Sequence, residues 1–154
     1  MKTKIFCDSA DFKIIKKFNS DPLVSGFTTN PSLMRLSGAK NYKNYSLKLL
    51  SACKRKPISL EVFGDTFYQM VEQANVINSW GKNIYVKIPV LNSRGLFCGK
   101  AINILSNKGI KLNITAVYTV SQVKRILKYI NKNSKTIISI FSGRMSDVGK
   151  DPIP

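Results

Sequence analysis

The regular alternation of short apolar runs with longer stretches of helical periodicity constrains this chain more than any other feature. Six short runs predict strands, and they cover residues 4–7, 24–27, 57–63, 83–88, 111–117 and 136–141. Between them, apolar residues recur every three or four positions at 11–18, 42–53, 66–79, 94–107 and 119–130, which predicts helices. Strands that alternate with helices predict a parallel sheet, because each parallel connection needs a crossover.

Two architectures fit this order, a doubly wound open sheet and a (β/α) barrel. No strand is followed by the glycine-rich fingerprint of a dinucleotide site or by a P-loop, which weakens the nucleotide-binding form of the open sheet. The length predicts a single domain over residues 1–154. No apolar run long enough to span a membrane is present, and the first residues do not resemble a signal peptide, so we expect a cytoplasmic protein.

The chain contains no histidine, which is the most informative fact of its composition. A Ser-His-Asp triad, a Cys-His pair and a histidine-ligated metal are therefore excluded. Proton transfer must be carried out by Asp, Glu, Lys, Tyr or water. The three cysteines, Cys7, Cys53 and Cys98, are far apart and have no metal-ligand spacing, which is typical of a reducing compartment.

The formal net charge of +17 admits two interpretations. The first is a polyanionic partner, either nucleic acid or phosphorylated metabolites. The second is a lysine-rich composition with the lysines scattered over solvated faces, and we favour it because the basic runs are short and no aromatic-rich nucleic-acid motif accompanies them. Nucleic acid is therefore not the expected partner.

Three ionisable residues lie in or directly after apolar strands. Asp8 follows the first strand, Glu61 lies inside the third and Lys87 inside the fourth. Each has a structural alternative: Asp8 as the N-cap of the next helix, Glu61 on an exposed strand face, and Lys87 extended to the rim of the sheet. Chemistry in parallel barrels collects at the carboxyl ends of strands, so together the three indicate one pocket in which their charges offset one another.

A lysine in such a strand has a route to covalent chemistry. An amine must be unprotonated to attack a carbonyl, and apolar surroundings disfavour the charged form of a lysine. A neutral Lys87 would form an imine with a ketone substrate, and the protonated imine would draw electrons from an adjacent carbon–carbon bond. A carboxylate must then move protons on and off the substrate hydroxyls.

The motifs FCDSAD, GFTTNPSLM, PISLEVF, NIYVKIPV, GIKLNITAVYT and IFSGRMSDVGKDP resemble the transaldolase family, which includes fructose-6-phosphate aldolase, in order and in spacing. The resemblance runs over essentially the whole chain and implies a TIM-type (β/α) barrel. It implies that Lys87 is the Schiff-base lysine and that Asp8 exchanges a proton with the hydroxyl beside the breaking bond. Glu61 would act through a water molecule held by Thr115.

The resemblance also assigns a set of substrate-binding residues. Asn30 and Asn113 would hydrogen-bond the dihydroxyacetone hydroxyls, and Thr28 would support the Asn30 loop. The pocket and phosphate contacts would come from Ser139, Phe141 and Arg144, the last through its planar guanidinium. No metal or organic cofactor is implied. The implied partners are sugar phosphates of the pentose phosphate pathway, without a membrane, and a homo-oligomer is compatible with the resemblance.

Two residues distinguish the activities within the family. Glu61 and Phe141 favour transaldolase, because the aldolases carry Gln and Tyr at those places. A dihydroxyacetone unit would then pass from a ketose phosphate to an aldose phosphate. The alternatives are an aldolase-type lyase that releases free dihydroxyacetone, and an inactive barrel remnant or basic nucleic-acid-binding protein.

The number of strands differs from that of a complete barrel. Six β-α units are predicted, whereas a full barrel has eight in ~250 residues. We therefore expect an incomplete barrel, truncated at its carboxyl end, with strands one and six as unpaired edges. This form is expected to be weakly active or inactive alone.

Overall fold

The computed structural model describes residues 3–151 of the chain. Its strands are β1 (Ile5–Asp8), β2 (Val24–Thr28), β3 (Ile58–Glu61), β4 (Ile84–Pro89), β5 (Leu112–Val117) and β6 (Thr136–Ile140). Its helices are α1 (Phe12–Asn19), α2 (Pro31–Leu36), α3 (Tyr42–Ala52), α4 (Phe67–Ser79), α5 (Gly99–Asn107), α6 (Val120–Leu127) and α7 (Ser142–Asp147).

The six strands form one sheet in the order of the chain, from β1 to β6. The pairs β1–β2, β2–β3 and β5–β6 are parallel, and at least one helix lies in every connection between successive strands. A doubly wound sheet reverses its strand order at a switch point, and this sheet has no such reversal. The fold is an incomplete (β/α) barrel of the TIM type, as predicted.

The chain divides into two compact units. The first contains the residues up to Glu61 together with Val76–Val86, and the second contains Val62–Asn75 together with the chain from Lys87 onward. The interior of the first unit is formed by fully buried side chains, among them Ile15, Phe27, Met34, Leu49, Ile58, Leu60 and Ile84. That of the second includes Met70, Ile88, Ile102, Leu105, Leu112 and Ile114.

Polar capping fixes where two of the helices begin. The side chain of Asp11 accepts hydrogen bonds from the backbone N–H groups of Lys13 and Ile14, so it is the N-cap of α1. Thr119 and Gln122 form a reciprocal capping box at the start of α6. The predicted starts of these two helices are therefore confirmed to within one residue.

The segment before α5 differs from its prediction. A helix was expected from Arg94, whereas α5 begins at Gly99. Asn92 accepts hydrogen bonds through its side chain from the N–H groups of Arg94 and Leu96, and Gly95 has a φ of +73°. This turn closes the loop through the Leu91–Phe97 bridge, and the side chain of Asn92 competes with helical hydrogen bonding.

Other boundaries differ by less. Strand β3 ends at Glu61 instead of residue 63, because the backbone N–H groups of Phe63 and Gly64 both bond to the side chain of Gln73. Helix α6 ends at Leu127 instead of residue 130. Helices α2 and α7 are additional to the five predicted helices, and Pro31 occupies the first turn of α2.

Two further expectations concern the chain as a whole. Within residues 3–151, no helix combines the length and the apolar character needed to cross a bilayer. A single domain over 1–154 stays a prediction, and its ends at residues 1–2 and 152–154 lie outside the described residues.

The packing around Gly26 gives a first testable prediction. A methyl group on Gly26 would lie 2.5 Å from the ring of Phe6 and 2.8 Å from Pro57, two rigid side chains. Gly26→Ala should therefore lower the free energy of unfolding by about 1–3 kcal/mol, because overpacking must displace one of them. Urea unfolding measures this change. The control is Gly143→Ala in α7, where nothing lies within 4 Å; an equally stable Gly26→Ala protein would contradict the packing described.

Candidate active site

The first strands of the sheet end in a hydrogen-bonded pair. Asp8 is the last residue of β1 and Thr28 the last of β2, and the register sets them opposite each other. The Thr28 hydroxyl donates to a carboxylate oxygen of Asp8 at 2.7 Å. Asp8 is exposed and does not cap α1, since Asp11 has that role, so the structural alternative for Asp8 is wrong. The Thr28 hydroxyl therefore orients the Asp8 carboxylate, which stays accessible to solvent at the end of β1.

Asn30 lies at the N-cap of α2. Its side-chain oxygen accepts a hydrogen bond from the N–H of Leu33 at 2.9 Å, and Pro31 occupies the first turn. Its amide nitrogen makes no hydrogen bond within residues 3–151, so a donor remains available. The preceding residue, Thr29, is fully buried and donates through its hydroxyl to the carbonyl of Ser59, which ties this loop to β3.

Glu61 ends β3 and is half-buried, so the alternative of an exposed strand face is wrong. The phenol of Tyr42, the first residue of α3, donates to the backbone carbonyl of Glu61 at 2.8 Å. Burial raises the pKa of Tyr42 well above its ordinary value, and the charge of Glu61 adds to this effect. Tyr42 was not predicted as a site residue, because a tyrosine at the start of a helix carries no signal of what it contacts.

Lys87 lies in the middle of β4 and is only 6% exposed. Its sequence neighbours Val86 and Ile88 are fully buried. Its backbone carbonyl accepts a hydrogen bond from the N–H of Val62 at 3.2 Å. A lysine that extended along the sheet into solvent would be far more exposed, so the alternative of a rim lysine is wrong. Burial of a lysine is rare in proteins and generally requires a partner or a function.

Strand β5 carries two buried polar side chains. Asn113 is fully buried, and its side-chain oxygen accepts a hydrogen bond from the Ser139 hydroxyl of β6 at 2.7 Å. Thr115 is 2% exposed, and its hydroxyl has no hydrogen-bond partner among the described residues. An unsatisfied buried hydroxyl costs about 1–3 kcal/mol unless a water molecule or ligand meets it. Thr115 is therefore a group that can hold a water molecule.

The backbone after Thr115 is strained. Ala116 has a φ of 57°, and it is the one residue other than glycine among residues 3–151 with a positive φ. The register of β5 with β6 shifts between Ile114 and Val117, which marks a bulge. Such left-handed conformations persist where the surroundings impose them, and they are concentrated at functional sites. No sequence pattern distinguishes Ala116 from an ordinary strand alanine.

Phe141 and Arg144 follow β6. The N–H of Phe141 donates to the carbonyl of Val117, and its ring meets that of Tyr118 edge-on at 5.9 Å between centroids. Arg144 lies in α7 with its side chain 72% exposed, 3.6 Å from the carboxylate of Asp147. An open depression of about 350 Å³ is lined by both residues and by Ile140, Ser142, Gly143 and Asp147. An exposed guanidinium there can meet an anion from solvent.

The predicted site residues fall into two groups. The first unit contains Asp8, Thr28, Asn30 and Glu61, and the second contains Lys87, Asn113, Thr115, Ser139, Phe141 and Arg144. Within these groups the structure joins Asp8 to Thr28 and Asn113 to Ser139. Their catalytic and binding roles stay predictions.

Thiol and metal chemistry receive no support from the described residues. No group of three or more His, Cys, Asp or Glu side chains among them could hold a metal ion. Burial raises the pKa of Cys53 to about 11, and that of Cys98 likewise, so neither thiol is ionised near neutral pH.

The fold and these residues define the class of protein. It is an α/β protein of the barrel type with a buried lysine in its fourth strand and polar side chains at the ends of the others. The family model described as "Transaldolase/Fructose-6-phosphate aldolase" matches residues 5–153. The chain belongs to this transaldolase and fructose-6-phosphate aldolase family.

Two curated relatives illustrate the similarity. A protein of Streptococcus equi subsp. zooepidemicus named "Probable transaldolase" is 38% identical over 151 residues, which cover 97% of this chain and 65% of that protein. A protein of the same name from Streptococcus pyogenes serotype M1 is 40% identical over 150 residues, covering 96% of this chain and 64% of its own length. The chain thus spans slightly less than two thirds of these relatives.

The strain at Ala116 gives the second prediction. Ala116→Gly should leave the free energy of unfolding unchanged or raise it by up to about 1 kcal/mol, because glycine accepts a positive φ. Ala116→Val should lower it by about 1–3 kcal/mol, since a β-branched side chain opposes that conformation. Urea unfolding compares these variants with Ala52→Val, at a half-buried position of ordinary helical backbone. An Ala116→Val protein as stable as the Ala52→Val protein would contradict the strain described.

Proposed function

We propose that this chain carries the active site of a transaldolase that transfers a dihydroxyacetone unit between sugar phosphates through an imine on Lys87. The single observation that carries the proposal is the burial of Lys87 in the middle of β4, in a chain that belongs to this family. A lysine amine held inside the sheet is placed to form an imine with a ketone that enters the site. Transaldolase activity of this chain is part of the proposal, and the weak turnover expected of this form alone stays a prediction.

The proposed reaction begins at the ketone carbon of a ketose phosphate. The Lys87 amine adds to this carbon, and loss of water gives a protonated imine. The neighbouring carbon–carbon bond breaks, and its electron pair moves to the imine. The hydroxyl on the departing carbon gives its proton to the Asp8 carboxylate and becomes the aldehyde oxygen. An aldose phosphate leaves, and a dihydroxyacetone enamine remains on the lysine. Addition of another aldose phosphate and hydrolysis of the new imine complete the transfer and free the amine.

Asp8 and Thr115 have features that suit their proposed roles. The hydrogen bond from Thr28 orients the Asp8 carboxylate, which keeps a second oxygen for a substrate proton. The unpartnered hydroxyl of Thr115 would bind the water molecule through which Glu61 assists the formation and hydrolysis of the imine. In this assignment, Thr28 acts mainly through Asp8.

The remaining residues are proposed to bind the substrate. The free amide donor of Asn30 and the Asn113–Ser139 pair would contact the dihydroxyacetone hydroxyls. Phe141 would line the pocket and Arg144 would bind the phosphate, since the depression beside it is open to solvent. This reaction requires no metal or organic cofactor, and we propose that it takes place in the cytoplasm. A homo-oligomer stays a prediction.

The third prediction concerns the imine. Borohydride added with fructose 6-phosphate should fix the sugar irreversibly to Lys87, because reduction turns the imine into a stable amine. Mass spectrometry of the digested chain locates the adduct. Trapping reports on imine formation alone and does not depend on turnover.

Two variants make the trapping experiment specific. Lys87→Met should abolish the adduct, whereas Lys124→Met, which removes an exposed lysine of α6, should leave it unchanged. An adduct that persists in Lys87→Met, or none in the folded wild-type chain, would refute the proposal. Circular dichroism confirms that each variant is folded.

The fourth prediction distinguishes transferase from lyase. Glu61 and Phe141 favour transfer, so product formation from a ketose phosphate should depend on an added aldose phosphate. The double variant Glu61→Gln with Phe141→Tyr should shift the partition several-fold toward free dihydroxyacetone. Coupled assays of free dihydroxyacetone and of the new ketose phosphate measure this ratio. Equal release of free dihydroxyacetone with and without an acceptor would favour the aldolase alternative.

A further inference from the structure

The charges of this chain are distributed very unevenly along its sequence. Residues 73–146 contain no aspartate and no glutamate. The same segment carries twelve basic residues, of which nine are lysine. Surface lysines that serve only solubility are ordinarily interspersed with carboxylates, which limit their mutual repulsion. The absence of carboxylates over so long a segment calls for a physical explanation.

Within the second unit, the fold gathers five of these lysines at one end of its strands. They lie at the C-terminus of α5, at the C-terminus of α6, and in the loops that enter β5 and β6. The "lysine surface" consists of Lys108, Lys111, Lys128, Lys132 and Lys135. Four are exposed and Lys111 is half-buried. This grouping differs from the even scatter expected from the sequence, which stays a prediction for the chain as a whole.

Hydrogen bonds make the lysine surface one continuous feature. The N–H of Asn131 donates to the hydroxyl of Ser106, and its side-chain amide donates to the side-chain oxygen of Asn107. The N–H of Leu112 donates to the carbonyl of Lys135. The loop after α6 is thereby fixed against the end of α5 and the start of β5.

Structural roles account for only part of this clustering. Lys108 and Lys128 lie at helix C-termini, where a positive charge interacts favourably with the helix dipole. Lys132 and Lys135 lie in a loop and have no such role. Two of the unit's carboxylates have partners beyond the ends of strands: Asp65, in the loop after β3, accepts a hydrogen bond from Ser93, and Asp147, at the end of α7, pairs with Arg144. They face the opposite ends of the strands from the lysine surface.

The lysine surface is also separate from the proposed catalytic groups. It adjoins Leu112 at the start of β5, whereas Thr115 and Phe141 lie toward the ends of β5 and β6. Six residues of strand span roughly 20 Å. A polyanion on the lysine surface would therefore leave that end of the strands accessible.

We propose that the lysine surface binds the phosphate backbone of nucleic acid without sequence specificity. Its other polar groups are amides and hydroxyls, at Asn107, Asn131, Asn133 and Ser134, and such side chains share phosphate contacts with lysine. Tyr129, 36% exposed, and Phe97 meet edge-on at 5.2 Å between ring centroids, which does not form the row of open ring faces on which successive bases of a single strand stack. These features favour contacts with the backbone of a duplex over stacking on a single strand.

An anionic membrane is a weaker match for the same charges. Interfacial binding needs an apolar face beside the basic one. Beside Lys128, the large apolar side chains exposed among the described residues are Leu127, 54% exposed, and Tyr129, 36% exposed. These two side chains supply far less apolar area than the apolar face of an interfacial helix. Vesicles therefore serve as the competing outcome of the test.

The experiment, which is the fifth prediction, measures binding of the full chain to a short, fluorescently labelled, mixed-sequence DNA duplex by anisotropy at several salt concentrations. Phosphate contacts from the four exposed lysines predict a slope of log K against log salt of about −3.6, or a loss of affinity of roughly 150-fold between about 50 and about 200 mM salt. Replacing Lys108, Lys128, Lys132 and Lys135 with Gln should reduce the slope by about 3 or more.

The control variant carries the same change of net charge elsewhere. It replaces Lys13, Lys16, Lys17 and Lys43 with Gln on exposed positions of α1 and α3, and it should keep a slope within about one of the wild-type value. Circular dichroism checks that both variants fold. Equal slopes in the two variants, no binding at low salt, or tight binding to phosphatidylserine vesicles but not to the duplex would each overturn the proposal.

Discussion

The parallel order of the strands is the constraint on which the rest of this structure depends. Because each strand runs in the same direction as its neighbour, a helix must return the chain between them, and strand ends of the same kind meet. In the first unit this brings Asp8 against Thr28. In the second it brings Asn113 against Ser139. Residues far apart in the sequence become hydrogen-bonded pairs through the register alone.

The buried polar side chains are the costly part of this arrangement. Lys87, Asn113 and Thr115 lie inside strands whose other side chains are apolar, where desolvation opposes polar groups. Asn113 is compensated by Ser139, whereas the Thr115 hydroxyl has no partner among the described residues. The neighbouring Ala116 adds backbone strain. Local costs of this kind, here in β4 and β5, are typical of functional sites.

Much of the fold could be predicted because it follows from local patterns. Short apolar runs predicted the six strands, and helical periodicity predicted the starts of α1 and α6 to within one residue, where the structure shows capping side chains. The segment before α5 was wrong because Asn92 forms a side-chain turn that overrides helical periodicity. The strain at Ala116 and the contact of Tyr42 with Glu61 arise from pairing between distant segments, which no local pattern encodes. The clustering of lysines likewise appears only once the loops are folded beside one another.

The central claim is that the nitrogen of Lys87 becomes covalently bonded to the ketone carbon of a sugar phosphate. Nuclear magnetic resonance tests it most directly, with ¹⁵N-lysine in the chain and ¹³C at the ketone carbon of the substrate. A one-bond coupling between the labelled carbon and a lysine nitrogen, lost when Lys87 is replaced, is the predicted result. A labelled carbon that couples to a different lysine, or to none in the folded chain, would contradict the account.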